Sequence, residues 1–261
     1  MNANDPNIVM LERAAEGLGT ELCERLVFVG GAVVGLLITD PAQPAIRATD
    51  DVDLIVPVLA LAEYHGIENA LRARGLVQDM LTEGPICRWR LDRLTVDVMP
   101  TLESVLGFSN RWYPLAAETA QSLQLPTGRR IRVITAPAFI ATKLEAFSGR
   151  GHGDYLFSHD LGDVIAVVDG RDALPGEIAS AGSALRTYLA QRFADLLSKP
   201  AFLDALPGHL PTDAASQARL PDLLAVMRLL AGSGEMLKGS VLRFDDPLTA
   251  AAPADDWEAN Q

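Results

Sequence analysis

The chain has 261 residues, a formal net charge of −12 and two cysteines. Negative charge of this size argues against a protein that coats nucleic acid through bulk charge, although it leaves room for a local basic groove. Two cysteines are too few for a disulfide framework, and the polar, acidic amino terminus has no signal-peptide pattern. No apolar run reaches membrane-spanning length, so the sequence predicts a cytoplasmic protein without a membrane partner.

The first half of the chain alternates between helical and strand patterns. Residues that recur three or four positions apart predict helices, which cover 8–26, 32–38, 59–74 and 112–119. Short apolar or alternating runs predict strands, which cover 27–29, 52–56, 76–80, 86–91, 94–98 and, as an edge strand, 129–134. A tight turn at 92–93 would join two of these strands into a hairpin.

The second half of the chain is mainly helical in its pattern. A helix at 138–147 has Pro137 at its start and Gly149 just past its end, and residues 156–237 have mostly helical periodicity. We therefore predict an α/β (α+β) protein, with a mixed sheet flanked by helices and a mainly helical C-terminal half.

Two glycines follow the first predicted strand. Gly30 and Gly31 end the apolar run at 27–29 and precede the helix predicted at 32–38. Glycines leave backbone N–H groups free to approach phosphate oxygens, and the positive end of the helix dipole would face the same anion. The pair therefore indicates a phosphate site, although an ordinary strand-to-helix turn has the same pattern.

Two aspartates open the next predicted strand. Because alternate residues of a strand share a face, Asp51 and Asp53 point the same way while Val52 points to the core. Neighbouring carboxylates repel and raise each other's proton affinity, a cost that a bound cation such as Mg²⁺ removes. Asp50 adds one more acid to the run, so a solvated strand end is the alternative to a metal site.

A third aspartate, Asp97, lies in a later predicted strand between two valines, where an acid is unusual. If this strand neighbours the one that carries Asp51 and Asp53, three carboxylates converge. Three carboxylates are enough to hold two Mg²⁺ ions, with Mn²⁺ as the alternative ion. The other interpretation is an ion pair from Asp97 to Arg90 or Arg93 on a partly exposed sheet.

The order of these features resembles the nucleotidyltransferase superfamily typified by DNA polymerase beta, which has a glycine pair, an Asp-x-Asp pair and a third Asp on a later strand. The segment Arg47-x-Thr49-x-Asp51-Val52-Asp53-Leu54 is similar to the R-x-[ST]-x-D-[IV]-D-L signature of the AbiEii/MenT-like toxin nucleotidyltransferases. Those toxins also have a K-L-x-A and a D-x-x-D segment downstream. This chain has Lys143-Leu144-Glu145-Ala146 and Asp160-Leu161-Gly162-Asp163, so the resemblance covers the chain from about Gly30 to Asp163.

The resemblance implies a nucleotidyltransferase fold, which we divide into a catalytic domain at 1–135 and a helical domain that completes the site at 136–240. Residues 241–261 lack periodicity and end with acidic residues, so we expect a loose tail there. It implies that the metal ligands, which also act in catalysis, are Asp51, Asp53 and Asp97. The implied nucleotide-binding residues are Gly30, Gly31, Arg47, Thr49, Lys143 and Asp163.

Two of the implied roles belong to the downstream segments. Lys143 would be catalytic as a clamp on the triphosphate, whereas a helical lysine ordinarily faces solvent. Asp160 and Asp163 lie one helical turn apart and would orient Lys143 or contact the nucleotide, with Asp160 as the catalytic member. The alternative is a carboxylate pair that is favoured by the dipole at a helix amino terminus.

Arginine supplies most of the positive charge, since only three of the 22 basic residues are lysines. Arg47 would contact phosphate or pair with Asp50 or Asp51. A local surface for an RNA acceptor would combine Arg111, Arg129, Arg130, Arg132 and Arg150.

The implied reaction moves a nucleoside monophosphate from an NTP to an acceptor hydroxyl, and pyrophosphate leaves. The resemblance implies the toxin of a toxin–antitoxin pair, with the 3′ end of tRNA as acceptor and a cognate antitoxin protein as partner. One alternative is transfer to a small molecule such as an aminoglycoside, or to a protein side chain. The other is a non-catalytic nucleotide-binding module whose helical half contacts a partner.

Overall fold

The structure is a computed structural model that describes residues 2–42, 46–79, 86–151 and 153–232. Within these ranges the strands are β1 (Val27–Val29), β2 (Asp51–Val56), β3 (Val77–Gln78), β4 (Arg88–Leu91), β5 (Leu94–Pro100), β6 (Gln121–Gln124) and β7 (Arg130–Val133). The helices of the first half are α1 (Pro6–Arg25), α2 (Val34–Leu37), α3 (Leu61–Ala73), α4 (Glu103–Leu106) and α5 (Tyr113–Glu118). Those of the second half are α6 (Ala136–Arg150), α7 (His159–Gly170), α8 (Leu174–Ser180), α9 (Ser183–Leu197), α10 (Pro200–Ala205), α11 (Ala214–Gln217) and α12 (Leu220–Gly232).

The described strands form one mixed sheet in the order β3-β4-β5-β2-β1-β7-β6. At its centre β2 runs parallel to β5 and antiparallel to β1, while β1 runs parallel to β7. The hairpin β4–β5 turns at Asp92, where the sequence predicted a tight turn. The predicted fold class is confirmed, since helices flank a mixed sheet and a helical half follows it.

The core lies where the apolar faces of the helices meet the sheet. One face of α1 is buried through Leu11, Ala14, Leu18 and Leu22, which recur at helical spacing, and this helix packs on β7. Strand β1 is buried along its whole length, as expected for a central strand of apolar residues. Burial on both sides fixes the register of the central strands, and the register decides which side chains meet in the site.

Strand β6 was not predicted, and its presence changes the position of its neighbour. Its sequence, Gln121–Gln124, is polar except for Leu123 and lacks the β-branched residues that are typical of strands. Because β6 pairs antiparallel with β7, the prediction of an edge strand at 129–134 is wrong. The basic residues of β7 reflect a partly exposed face of the sheet rather than an unpaired edge.

Two predicted helices also differ from the structure. After Gly31 the chain makes a single 3-10 turn, Gly31–Val33, and a single α-helical turn, α2, instead of one helix at 32–38. So short a helix adds little to the dipole that was expected at the glycines. In the second half, α6 continues through Gly149 to Arg150, so the predicted end at residue 147 is wrong.

The prediction that residues 156–237 are mostly helical is confirmed up to residue 232, and the loose tail predicted at 241–261 lies outside the described residues. The division into domains at residue 135 stays a prediction. Among the described ranges, we find no helix whose length and hydrophobicity would let it cross a membrane.

Candidate active site

Three carboxylates converge on one face of the sheet. The parallel register of β2 and β5 sets Asp53 beside Asp97, and Asp51 follows on the same face of β2. One oxygen from each of the three side chains lies within 4.8 Å of the others. The predicted juxtaposition therefore exists, and its hard oxygen ligands are of the kind that Mg²⁺ prefers.

The electrostatics of the cluster centre on Asp53. Its position deep in the site, followed by the charges of Asp51 and Asp97, raises the pKa of Asp53 to about 7, although Lys143 and Arg150 act in the opposite direction. The Asp-x-Asp pattern predicted this repulsion between neighbouring carboxylates, which raises their proton affinity. A cation bound between the carboxylates would remove that cost.

The two glycines contact this cluster in different ways. Gly30 follows β1 directly, and because Val29 is in register with Asp53, the glycine lies against the Asp53 side chain. Its φ of 70° is one that L residues rarely adopt. Gly31 lines a cavity that the three carboxylates also line, and its neighbours are Arg47, Thr49 and Asp163.

The segment before β2 is held by a buried asparagine near the amino terminus. Asn7 donates from Nδ2 to the carbonyl oxygen of Arg47 at 3.0 Å, and its Oδ1 accepts from the backbone N–H of Thr49 at 3.0 Å. Thr49 in turn donates from Oγ1 to Oδ1 of Asp51 at 3.1 Å. Asn7 thus supports the signature segment from a position more than 40 residues away, and sequence reasoning missed it.

Lys143 is buried between two carboxylates. Its Nζ lies 2.7 Å from Oδ2 of Asp163 and 3.3 Å from Oδ1 of Asp160, and only 12% of its side chain is exposed. Burial alone would lower the pKa of Lys143, but the charges of Asp163 and Asp160 outweigh it and raise that pKa. The alternative of a solvent-facing lysine is therefore wrong.

Asp160 is held by a second cation that was not among the predicted catalytic residues. Arg150 donates from Nε to Oδ2 and from Nη2 to Oδ1 of Asp160, both at 3.0 Å. Burial would raise the pKa of Asp160, but Arg150 and Lys143 outweigh burial and hold it below its ordinary value. Both Asp160 and Arg150 line the main cavity, whereas Asp163 lines a neighbouring one.

Arg47 pairs with Asp163, the same carboxylate that Lys143 contacts. Its Nη2 is 3.8 Å from Oδ1 of Asp163, so its ion-pair partner is Asp163 rather than Asp50 or Asp51. Because 44% of the side chain is exposed, this guanidinium keeps donors that face the cavity.

A second residue that was missed, Arg88, pairs with Asp97. Its Nε and Nη2 donate to the two carboxylate oxygens of Asp97 at 2.9 and 2.7 Å, because β4 and β5 set these residues directly opposite each other. The predicted alternative partners, Arg90 and Arg93, are therefore wrong. Arg90 instead pairs with Asp79, with 3.6 Å between its Nη1 and the Oδ2 of that residue.

Most of these groups line one cavity of about 1180 Å³, which has room for a nucleoside triphosphate and part of an acceptor, whereas Asn7, Gly30 and Asp163 lie outside its lining. Its lining includes a negative group and a positive group. The negative group consists of Asp51, Asp53 and Asp97, and the positive group consists of Arg47, Lys143 and Arg150.

The arginines predicted to form an acceptor surface are divided between two places. Arg111 and Arg150 line the cavity, whereas the three arginines at 129, 130 and 132 lie outside its lining. Arg129 pairs with Glu16 of α1, and Arg132 donates to the carbonyl oxygen of Ala117. An acceptor surface made of all five arginines stays a prediction, in which only Arg111 and Arg150 would lie at the cavity.

Arg111 is fixed at the cavity wall by aromatic side chains. Its guanidinium lies 4.9 Å from the ring centre of Trp112 and 4.8 Å from that of Tyr188. Glu145 lies 3.9 Å from Arg111 Nε and also accepts from the Tyr188 hydroxyl. The wall therefore presents a cation whose orientation is set by stacking.

Comparison with known proteins gives structural likeness without sequence likeness. No family model and no curated protein matches the chain, so the resemblance to the AbiEii/MenT family stays a prediction. The solved structure of JHP933 from Helicobacter pylori is 12% identical and matches with a TM-score of 0.45, over 90% of this chain and 96% of that one. A protein described as a candidate nucleotidyltransferase from H. pylori is 12% identical, with a TM-score of 0.44 over 91% and 99% of the two chains.

Proposed function

We propose that this protein is a metal-dependent nucleotidyltransferase that transfers a nucleoside monophosphate from an NTP to an acceptor hydroxyl. The observation that carries the proposal is the pairing of opposite charges in one cavity. Three carboxylates lie within 4.8 Å of one another, and the same cavity is lined by Lys143 and Arg150, which are near enough to lower the pKa of Asp53. Triphosphates bound with divalent cations need both kinds of charge.

The donor set suits the cation that such a reaction uses. Asp51, Asp53 and Asp97 would hold Mg²⁺ or Mn²⁺, since all three offer carboxylate oxygens on one face of the sheet. When bound, the cations would neutralise the triphosphate and favour ionisation of the acceptor hydroxyl.

The positive residues would bind the triphosphate. Lys143 has three N–H donors and contacts two carboxylates, so one donor remains for a phosphate oxygen. Arg150 and Arg47 keep exposed donors on the same cavity. Charge that develops on the leaving pyrophosphate would be stabilised by these fixed cations.

The carboxylates would then handle the acceptor proton. An acceptor oxygen attacks the α-phosphorus, a new P–O bond forms, and the bond between that phosphorus and the bridging oxygen to the β-phosphate breaks. Asp97 would take the proton, since each of its oxygens keeps a lone pair beyond the bond to Arg88. Pyrophosphate leaves with the electrons of the broken bond.

For the acceptor we propose the 3′ end of tRNA, with a cognate antitoxin protein as the partner that restrains the enzyme. This part of the proposal follows from the signature Arg47-x-Thr49-x-Asp51-Val52-Asp53-Leu54 and its resemblance to the toxin nucleotidyltransferases. The arginine on the cavity wall, Arg111, supports it, because a stacked guanidinium binds both phosphates and bases.

The test is transfer of label from each of four α-phosphate-labelled NTPs to total cellular RNA, in the presence of Mg²⁺. We expect label on tRNA with the wild-type protein and with Asp172→Asn, which changes an exposed acid outside the cavity lining, but not with Asp53→Asn. Label on a small molecule or a protein would replace the acceptor and keep the reaction. Nucleotide binding without any transfer would overturn the proposal in favour of a binding module.

A further inference from the structure

Arg88 lies among the carboxylates that would hold metal. Its Nη2 is 2.7 Å from Oδ2 of Asp97 and 3.6 Å from Oδ2 of Asp51, while its Nε is 2.9 Å from Oδ1 of Asp97. Only 27% of the side chain is exposed. One guanidinium therefore bridges two of the three acids from within the cluster.

This position is set by the sheet and not by a flexible loop. Strand β4 pairs antiparallel with β5, and the register sets Arg88 opposite Asp97. Asp97 of β5 is in turn in register with Asp53 of β2. Three neighbouring strands thus present a cation and two acids side by side, and the fork of the guanidinium matches both oxygens of Asp97.

The charges of the group decide how many further cations it can hold. Once a bound cation has displaced the proton from Asp53, the three carboxylates carry three negative charges, and Arg88 neutralises one of them. The remainder matches a single divalent ion. A second ion between Asp51 and Asp97 would lie where the Arg88 guanidinium now lies. The ion and the guanidinium are both positive, so they would repel each other.

We propose that Arg88 is a positioning residue that takes the place of the second cation in the nucleotide-free protein. With Arg88 on Asp97, the protein binds one divalent ion through Asp51 and Asp53. The second ion binds together with the triphosphate, whose added negative charge offsets the like charges and whose oxygens offer the guanidinium another partner. This inference rests on the proposed nucleotidyl transfer for its biological use.

The test is a titration with Mn²⁺ alone, without nucleotide, in which electron paramagnetic resonance measures the free ion. We expect one bound ion per wild-type chain and two per chain in Arg88→Gln. Arg90→Gln is the matched control, since Arg90 lies two residues along the same strand and pairs with Asp79 instead. This control should keep one ion.

A further pair of variants keeps the test valid if Arg88→Gln is less stable. Arg88→Lys retains the charge but cannot form two parallel bonds to Asp97, so it should give an intermediate affinity for the second ion. Adding Arg88→Gln to Asp97→Asn should change ion binding less than Arg88→Gln does alone, because the closer of the two acids that Arg88 bridges is already neutral. Circular dichroism melts would check that each variant is folded.

The outcomes separate the inference from the proposed function. A wild-type protein that binds two ions, or an Arg88→Gln variant that still binds one with unchanged affinity, would overturn the role of Arg88 and leave the metal-dependent reaction standing. A wild-type protein that binds no Mn²⁺ would remove both. One ion in the wild type and two in Arg88→Gln would establish the role even before the acceptor is known.

Discussion

A Cβ atom added at Gly30 would lie 1.9 Å from Oδ2 of Asp53, far inside the contact distance of two such atoms. An added Cβ at Gly31 would meet no atom closer than 3.5 Å, which is ordinary contact. The first glycine of the pair is therefore needed by a carboxylate of the cluster. The phosphate contact that the sequence pattern predicted for both glycines stays a prediction, and of the two only Gly31 lines the cavity.

Gly30→Ala should disable the metal site while the protein still folds. The methyl group would displace the Asp53 carboxylate, and the backbone conformation of Gly30, which is nearly confined to glycine, would cost about 1–3 kcal/mol of folding stability. We expect Mn²⁺ affinity to fall by about 10- to 100-fold, as it does when a metal ligand loses its support. Gly31→Ala is the matched control, and equal loss of metal affinity in both variants would contradict the assignment.

Lys143→Met should destabilise the protein strongly. The substitution keeps an unbranched side chain that is one atom shorter, but it leaves Asp163 and Asp160 close together without their shared cation. Breaking a buried ion pair on one side costs about 3–5 kcal/mol, so the urea midpoint should fall markedly. Asp160 keeps Arg150, which limits the loss.

A double variant separates the structural role of Lys143 from its role in binding. Lys143→Met with Asp163→Asn removes the cation and one of its acids, so most of the lost stability should return. Binding of a non-hydrolysable NTP analogue, measured by calorimetry, should stay weak because the cation for the phosphates is absent. Recovery of both stability and binding would show that Lys143 does not contact the nucleotide.

The stability of the metal-free protein should depend on pH through Asp53. In the folded protein the pKa of Asp53 is raised to about 7, whereas in the unfolded chain it is about 3.9. Between these values the folded state holds more protons, so the free energy of unfolding falls as pH rises. Saturating Mg²⁺ should remove this loss, because the cation replaces the proton.

Thermal melts in a chelator at about pH 5 and about pH 8 would measure this effect. Asp53→Asn should lose less stability than the wild type over that range and be the more stable of the two at the higher pH. Asp172→Asn, whose carboxylate is exposed, should follow the wild type. Parallel curves for the wild type and Asp53→Asn would contradict the raised pKa.

Local patterns predicted the strands of the site, and long-range pairing decided its remaining members. Alternation in β2 and β5 placed Asp51, Asp53 and Asp97 on strands from the sequence alone. Arg88 has no local signal, because any arginine of an alternating strand has the same pattern. Its role follows from the register that sets it opposite Asp97, and the pairing of one strand with another is a property of the whole sheet.

Asn7 shows the same limit in a helix. An asparagine two residues after the capping Asp5 of α1 has the local pattern of a helix start, and Asp5 does accept from its backbone N–H. The functional information is in its side chain, which reaches the segment at 47–49. Only the packing of α1 beside that segment brings the two together.

Asn7→Ala should therefore weaken the site from a distance. The backbone N–H of Thr49 and the carbonyl of Arg47, which are partly buried, would each lose a hydrogen bond that contributes about 0.5–1.5 kcal/mol. The segment that carries Thr49 would relax, and with it the hydrogen bond to Asp51. We expect the affinity for Mn²⁺ to fall by about tenfold, and we expect the melting temperature to fall as well.

The matched control is Asn4→Ala, which removes the same side chain from an exposed position in the same segment of the chain. It should change neither the melting temperature nor the affinity for Mn²⁺. If Asn7→Ala lowered the melting temperature but left metal affinity unchanged, Asn7 would support the fold alone, and the position of Asp51 would be set by β2 without help from the preceding segment. A fall in metal affinity that persists at a temperature well below the melting transition would place Asn7 among the residues that position the site.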